Sequence, residues 1–178
     1  MQMLTRMSEA IMDFETREND RLIANVIAQG IVEEVRLSNP PKARVRVGEL
    51  LTGWLRMATP RAGANAVWHP YEVGEEVMIA CTSGDLRNGS VILALYNGAN
   101  PARTSSPDVM RIDAKDGGYV EYNRASGIWT MHATGAVNII ADGEVAITSA
   151  TLTHNGVNVG DTHTHPHGDP AGRTGAPS

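Results

Sequence analysis

The stretch GDTHTHPHGDPAGRTGAPS, Gly160 to Ser178, holds three of the chain's six histidines, His163, His165 and His167, at every second position. Imidazole is the commonest metal-ligating side chain. In an extended strand residues i and i+2 point the same way, so His163 and His165, on either side of Thr164, present two ring nitrogens on one face. Two nitrogens from one chain make a weak, open site. Three chains meeting on a three-fold axis would bring six nitrogens to one point. Six imidazoles suit an octahedral transition metal such as Fe(II), whereas structural zinc usually takes four ligands. A closed shell of this kind leaves no place for water or substrate, so its role would be structural and not catalytic. Pro166 ends the strand, which ranks His167 behind the other two, as a supporting or surface residue. A metallohydrolase would instead combine these histidines with a carboxylate, Asp161 or Asp169. It needs an open coordination position and a pocket, which neither a loose tail nor a closed trimer supplies.

What must position these histidines is the segment before them. From Val109 the chain reads VMRIDAKDGG, YVEYNRASG, IWTMHATGA, VNIIADGE, VAITSATLTHNG, VNVGDTHTHPH. Each piece alternates as a short strand does, and Gly118, Gly127, Gly135 and Gly143 recur at eight- or nine-residue spacing, which marks a repeat. In the later pieces the side chains shrink to Val, Ala, Ile, Thr, Ser and Asn. Such strands cannot bury enough surface within one chain to offset backbone ordering, about 1–2 kcal/mol per residue. Stacking on identical strands of other chains removes that deficit, as repeat units do by stacking on neighbours. The segment therefore predicts an obligate homo-oligomer, a thin fibre with its few apolar residues on a shared axis. His132 and His154, within these strands, read as packing or surface residues.

Ahead of the repeat lies a region of different rhythm. GIVEEVR and ARVRVGEL alternate around the turn NPPK, while EVMIACTS and GSVILALYNG are more continuously apolar and flank GDLRNG. Four or more short strands here predict a small antiparallel barrel. The long segment WLRMATPRAGANAVWHPYEVGEE carries Trp54, Trp68, His69 and Tyr71 and should wrap the barrel or touch a neighbour. A nucleic-acid- or saccharide-binding barrel with stacking aromatics is an alternative; against it, Arg56 and Arg61 are balanced by Glu72, Glu75 and Glu76. Asn97 to Asp108 reads as a linker. At the start, Leu4, Met7, Ile11 and Phe14 form a thin apolar stripe at helical spacing, resumed by Leu22, Ile23, Val26 and Ile27. It either packs on a partner or folds back on its own domain.

Composition narrows the classes. The net charge of −5 over 178 residues argues against the phosphate backbone of nucleic acid as the main partner. Aromatic residues are 4% of the chain with a single Phe, too few large side chains for one deep core. The lone cysteine, Cys81, excludes an intrachain disulfide, fits assembly in a reducing cytoplasm and reads as a buried, inert thiol in VMIACT. No secretory signal or membrane-spanning run is visible, so work outside the producing cell is expected to follow lysis or transport in a larger particle.

The order of these parts, with the WL…RAG…W…P…VGE stretch of the barrel and the terminal HTHPHGDPAGRTGAP, resembles the baseplate assembly protein V family. These are the central spike proteins of contractile-tailed phages and R-type tailocins. The likeness runs from about Arg21 to the end. It implies a mainly β trimer: an N-terminal helical segment (1–28), an OB-like barrel serving as a collar (29–98), a linker (99–108), an intertwined triangular β-prism (109–160) and a metal-bound tip (161–178). It further implies one octahedral iron per trimer, held by the H-x-H pairs of three chains, which match His163 and His165 here. Some members also hold calcium and chloride, for which this chain shows no placing motif. The resemblance makes the protein a non-enzymatic, membrane-piercing component of the virion's tail baseplate. It would be assembled in the host cytoplasm, sit beside the tail hub and other baseplate proteins, and be driven through the target cell's outer membrane. The repeat here is short and a third histidine follows the proline, so the implied spike is short.

Overall fold

The computed structural model describes residues 2–164. Its elements in chain order are α1 (Gln2–Ala24), β1 (Ile27–Arg36), β2 (Lys42–Val47), β3 (Leu50–Leu51), β4 (Leu55–Met57), β5 (Glu76–Cys81), β6 (Gly89–Leu95), β7 (Val109–Asp113), β8 (Tyr119–Asn123), β9 (Ile128–His132), β10 (Thr153–His154) and β11 (Val157–Asn158). The chain divides into two compact units: residues 1–110 with 122–128, and residues 111–121 with 129–178.

The first unit is built on a closed barrel. Its strands run in the order β1-β5-β6-β4-β2, with β1 pairing β2 to close the circuit and β3 extending the sheet beside β2. Alternation decides which side chains go inward. In β5 the pattern Glu76–Cys81 places Val77, Ile79 and Cys81 inside, and they meet Val32, Ala43, Val45, Leu55 and Val91 in one apolar core. Valines and isoleucines fill so narrow a barrel without the large aromatics that the sequence lacks. Thr52 is the one buried polar side chain among the described residues; its hydroxyl accepts from the Val45 amide at 2.9 Å and donates to the Gly53 carbonyl at 2.9 Å. Burial raises the Cys81 thiol above its ordinary range, with Asp85 adding to it, so the thiol stays protonated.

Two departures from the sequence expectations have physical causes. The barrel is not wholly antiparallel: β4 pairs β6 in parallel, Arg56 opposite Ser90 and Met57 opposite Val91. Residues 58–75 and the intervening strand β5 separate β4 from β6 in sequence, and that long path is what allows the two to run the same way, which a tight hairpin cannot do. The helical stripe, second, stops short. The helix ends at Ala24, and Ile27, four residues after Ile23, opens β1 opposite Ala80. Ile11 and Phe14 stay exposed and do not fold back onto the barrel.

Glycines set the close approaches. A Cβ on Gly84, at φ +67°, would overlap the Leu22 backbone, so this glycine is the seat on which the end of α1 rests. A Cβ on Gly30 would overlap the Arg46 carbonyl where β1 crosses β2. Gly30→Ala should therefore force the two strands apart and destabilise the barrel by about 1–3 kcal/mol. A thermal melt should show a fall of roughly 4 °C or more; an unchanged midpoint would mean that the strands separate without cost.

The second unit carries the chain toward its end. The three-stranded sheet β7-β8-β9 is followed by residues 133–152, which hold no strand, and then by the two-residue hairpin β10-β11. That hairpin turns on Asn155 and Gly156, at φ 50° and 78°, the Asn-Gly pair that two-residue turns favour.

Candidate functional site

The site is built from the second unit upward. Arg111 grips Asp113, with nitrogen–oxygen distances from 2.8 Å, and reaches Glu121 at 2.8 Å, while its guanidinium lies 3.6 Å above the Tyr119 ring. The hydrogen bonds it donates to Asp113 and then Glu121 raise the guanidinium's pKa still further, so it is permanently charged. Tyr119 stacks in turn on His132, ring centres 5.2 Å apart, and the His132 Nδ1 meets the Gly117 carbonyl at 3.3 Å. His132 is thus a packing residue, as its place in a strand predicted. Beside it Asp116 accepts from the Thr134 hydroxyl at 2.6 Å and the Gly118 amide at 3.0 Å. Those bonds, the hydroxyl's first, hold its carboxyl below the usual carboxylate range. The cluster pins the turn between β7 and β8 and the start of the extended segment.

Beyond it the chemistry changes. Among the described residues, no backbone hydrogen bond ties residues 135–151 to any other part of the chain. Yet the segment is not polar. Val137 and Ile139 before the bend at Asp142 and Gly143, and Val145 and Ile147 after it, are pairs two residues apart that share one face of each extended stretch, and each is more than half exposed; Ile140, on the opposite parity, is 89% exposed. The alternation that predicted strands in VNIIADGE and VAITSA is present, but one chain offers nothing to pair with. The segment has the pattern of half-buried strands and the surroundings of none.

The hairpin then sets the first of the terminal histidines. Val159 donates to the Leu152 carbonyl at 2.8 Å. The Asn158 side chain accepts from the Gly160 amide at 2.9 Å and donates to the Thr162 hydroxyl at 2.9 Å. This fixes the Gly160 carbonyl, which receives both the His163 amide at 3.2 Å and the His163 Nδ1 at 2.6 Å. A carbonyl only accepts, so in this bond Nδ1 is the donor. Metal-bound histidines are oriented in this way, one ring nitrogen donating to a carbonyl while the other ligates. Sequence reasoning missed Asn158 and Gly160 as the residues orienting His163; the NVGDTH spacing gives no sign of it without the turn's geometry. His163 itself follows a turn and lies outside any strand.

His165, His167 and Asp169 lie outside the described residues. Asp161 is described, but among the described residues no three His, Cys, Asp or Glu side chains gather as a metal site. His154 sits in β10 opposite Val157. In the barrel, Trp68 and His69 line a groove of about 440 Å³ with Arg56 and Arg61, whereas Trp54 is elsewhere, stacked under Arg36 at 4.3 Å. Glu72, Glu75 and Glu76, which the sequence set against Arg56 and Arg61, do not line that groove. Glu75 instead takes the Glu72 amide at 2.6 Å. No described helix is long and apolar enough to cross a membrane.

Comparison with known proteins bears on the barrel first. Residues 28–96, which are its strands and loops, match the family described as the Type VI secretion system/phage-baseplate injector OB domain. Over 132 residues, 74% of its length, the chain is 33% identical to the Spike protein of Escherichia phage P2, of which it covers 62%. With the barrel's topology, these likenesses place residues 28–96 in that phage-baseplate injector OB-domain family and make the chain similar to a phage spike protein.

Proposed function

We propose that this chain is the central spike of a contractile tail baseplate, a homotrimer that is driven through the outer membrane of the target cell when the sheath contracts. One observation carries the proposal: the unpaired segment 135–151, with its apolar faces open to solvent. Exposing a row of Val and Ile forfeits about 1.5–3 kcal/mol per side chain that burial would return. An exposed apolar face of this kind marks an association surface. Three copies wound about one axis would bury the apolar faces and pair the backbones with one another, giving the intertwined triangular prism that the family resemblance implies. Closed pairing of this sort leaves no free strand edge.

The function is mechanical. A narrow shaft whose backbone bonds run between chains cannot shorten or splay without breaking many at once, so the force of contraction reaches a small area of membrane. No step of that work needs catalysis. At the tip, His163 and His165 of three chains would hold one iron, which would tie the three ends together as a crosslink. The bond that orients the His163 ring through Nδ1 on the Gly160 carbonyl suits that duty. The chain would reside in the virion at the tip of the tail baseplate, be assembled in the host cytoplasm and contact the tail hub above its barrel.

Native mass spectrometry tests chain number and metal in one measurement. The expected species is three chains with one iron-sized mass increment. A well-folded single chain at micromolar concentration overturns the spike, and three chains with three metals overturns the shared site.

A further inference from the structure

The register of the barrel strands brings together three cations that are far apart in sequence. Arg36 on β1 faces Lys42 on β2, and Lys42 faces Arg56 on β4. Residues directly opposite in neighbouring strands share a face, so the three form one rung across the outer wall, with strands about 4.7–4.9 Å apart. Like charges placed opposite one another are destabilising. The rest of the same hairpin avoids them: Glu34 faces Arg44 and pairs with it at 2.9 Å, and Arg46 pairs with Glu33 at 2.7 Å. Among the described residues, Arg36, Lys42 and Arg56 take part in no ion pair, and Arg36 lies only over the Trp54 ring. The rung runs directly into the groove that Arg56 shares with Arg61, His69, Trp68 and Pro40. No acidic residue lines that groove, although acids outnumber bases in the chain, 20 to 15.

We propose that this cationic rung and the adjoining apolar groove form a docking surface for an acidic segment of another protein, carrying carboxylates to the rung and an apolar side chain to the groove. Rim charges of this kind choose a partner by complementary potential. The spacing suits carboxylates on one face of a helix, where neighbours at i and i+4 lie about 5–6 Å apart. Nucleic acid fits less well: Trp54, the aromatic nearest the rung, already has its face under Arg36, and the chain's net charge is −5. The surface belongs to the barrel alone, so its test and that of the trimeric shaft can fail separately.

The probe is a labelled helical peptide bearing Glu at every fourth position with Leu beside each, its Gln counterpart as control, and a thymidine oligonucleotide of similar length. Anisotropy with the full chain at low ionic strength should show binding of the Glu peptide that weakens steeply with salt, and none of the Gln peptide. Lys42→Glu with Arg56→Glu should weaken it at least about tenfold. Lys42→Glu alone should leave the barrel folded and raise its melting temperature, because it turns two like-charge pairings into opposite ones. No binding of the Glu peptide, binding indifferent to the double substitution, or a lowered melting temperature each overturns the proposal. Tighter binding of the oligonucleotide, lost in the same variant, assigns the surface to nucleic acid instead and overturns it too.

Discussion

Replacing Ile139 and Ile147 together with aspartate should turn the proposed trimer into single chains at micromolar concentration, seen by sedimentation velocity as a threefold loss of mass. Both side chains lie on the apolar faces of the unpaired segment, 76% and 64% exposed in one chain. In the proposed prism they would be the ones turned to the axis, so each aspartate would bring three carboxylates to one level of a narrow, dry interior. Desolvating a charge costs several kcal/mol even after relaxation, and mutual repulsion adds to it. The alternative of protonating all three is only a partial escape, since an uncharged carboxyl still needs hydrogen-bond partners there. The barrel has its own core and should melt as before. Ile139→Val with Ile147→Val, which keeps the face apolar, should remain trimeric. A trimer that survives both aspartates would show that these residues face water in the assembly and that the shaft is held by something else.

The barrel was legible because its signals are local. Alternation in GIVEEVR and ARVRVGEL and the turn chemistry of NPPK need only neighbours in sequence, and the hairpin of β1 and β2 forms where they indicate. What depends on distant pairing was not. The parallel contact of β4 with β6, and the rung of Arg36, Lys42 and Arg56, exist only once register is set, and nothing in the spacing of those residues announces it. The segment VNIIADGE–VAITSA is a different case. Its alternation reads as strand, yet in a single chain residues 133–152 hold none, because a strand is defined by a partner. In the proposed prism that partner would be the same segment of another copy. At the far end His163 sits with Nδ1 on the Gly160 carbonyl, an arrangement that rests on the turn and not on the H-x-H spacing, whereas His165 and His167 lie outside the described residues.

Replacing His163 and His165 with alanine should abolish the metal of the purified protein, from one per three chains to none by elemental analysis, and leave three chains together. An ion at the proposed tip would bond to a few atoms at one end, while the apolar side chains of residues 137–147 would supply area along the shaft's length, so assembly should outlast the loss of metal. Asn158→Ala gives a graded companion. It removes the side chain that accepts from the Gly160 amide and steadies the carbonyl under His163, but takes away no ligand. Loss of such an orienting contact typically weakens metal binding about 10–100-fold. A chelator competition should therefore strip iron from the Asn158→Ala trimer at concentrations that leave the parent loaded. Should the double histidine variant fall apart into single chains, the ion and not the shaft would be what holds the three together. Should it keep its iron, the ligands are elsewhere.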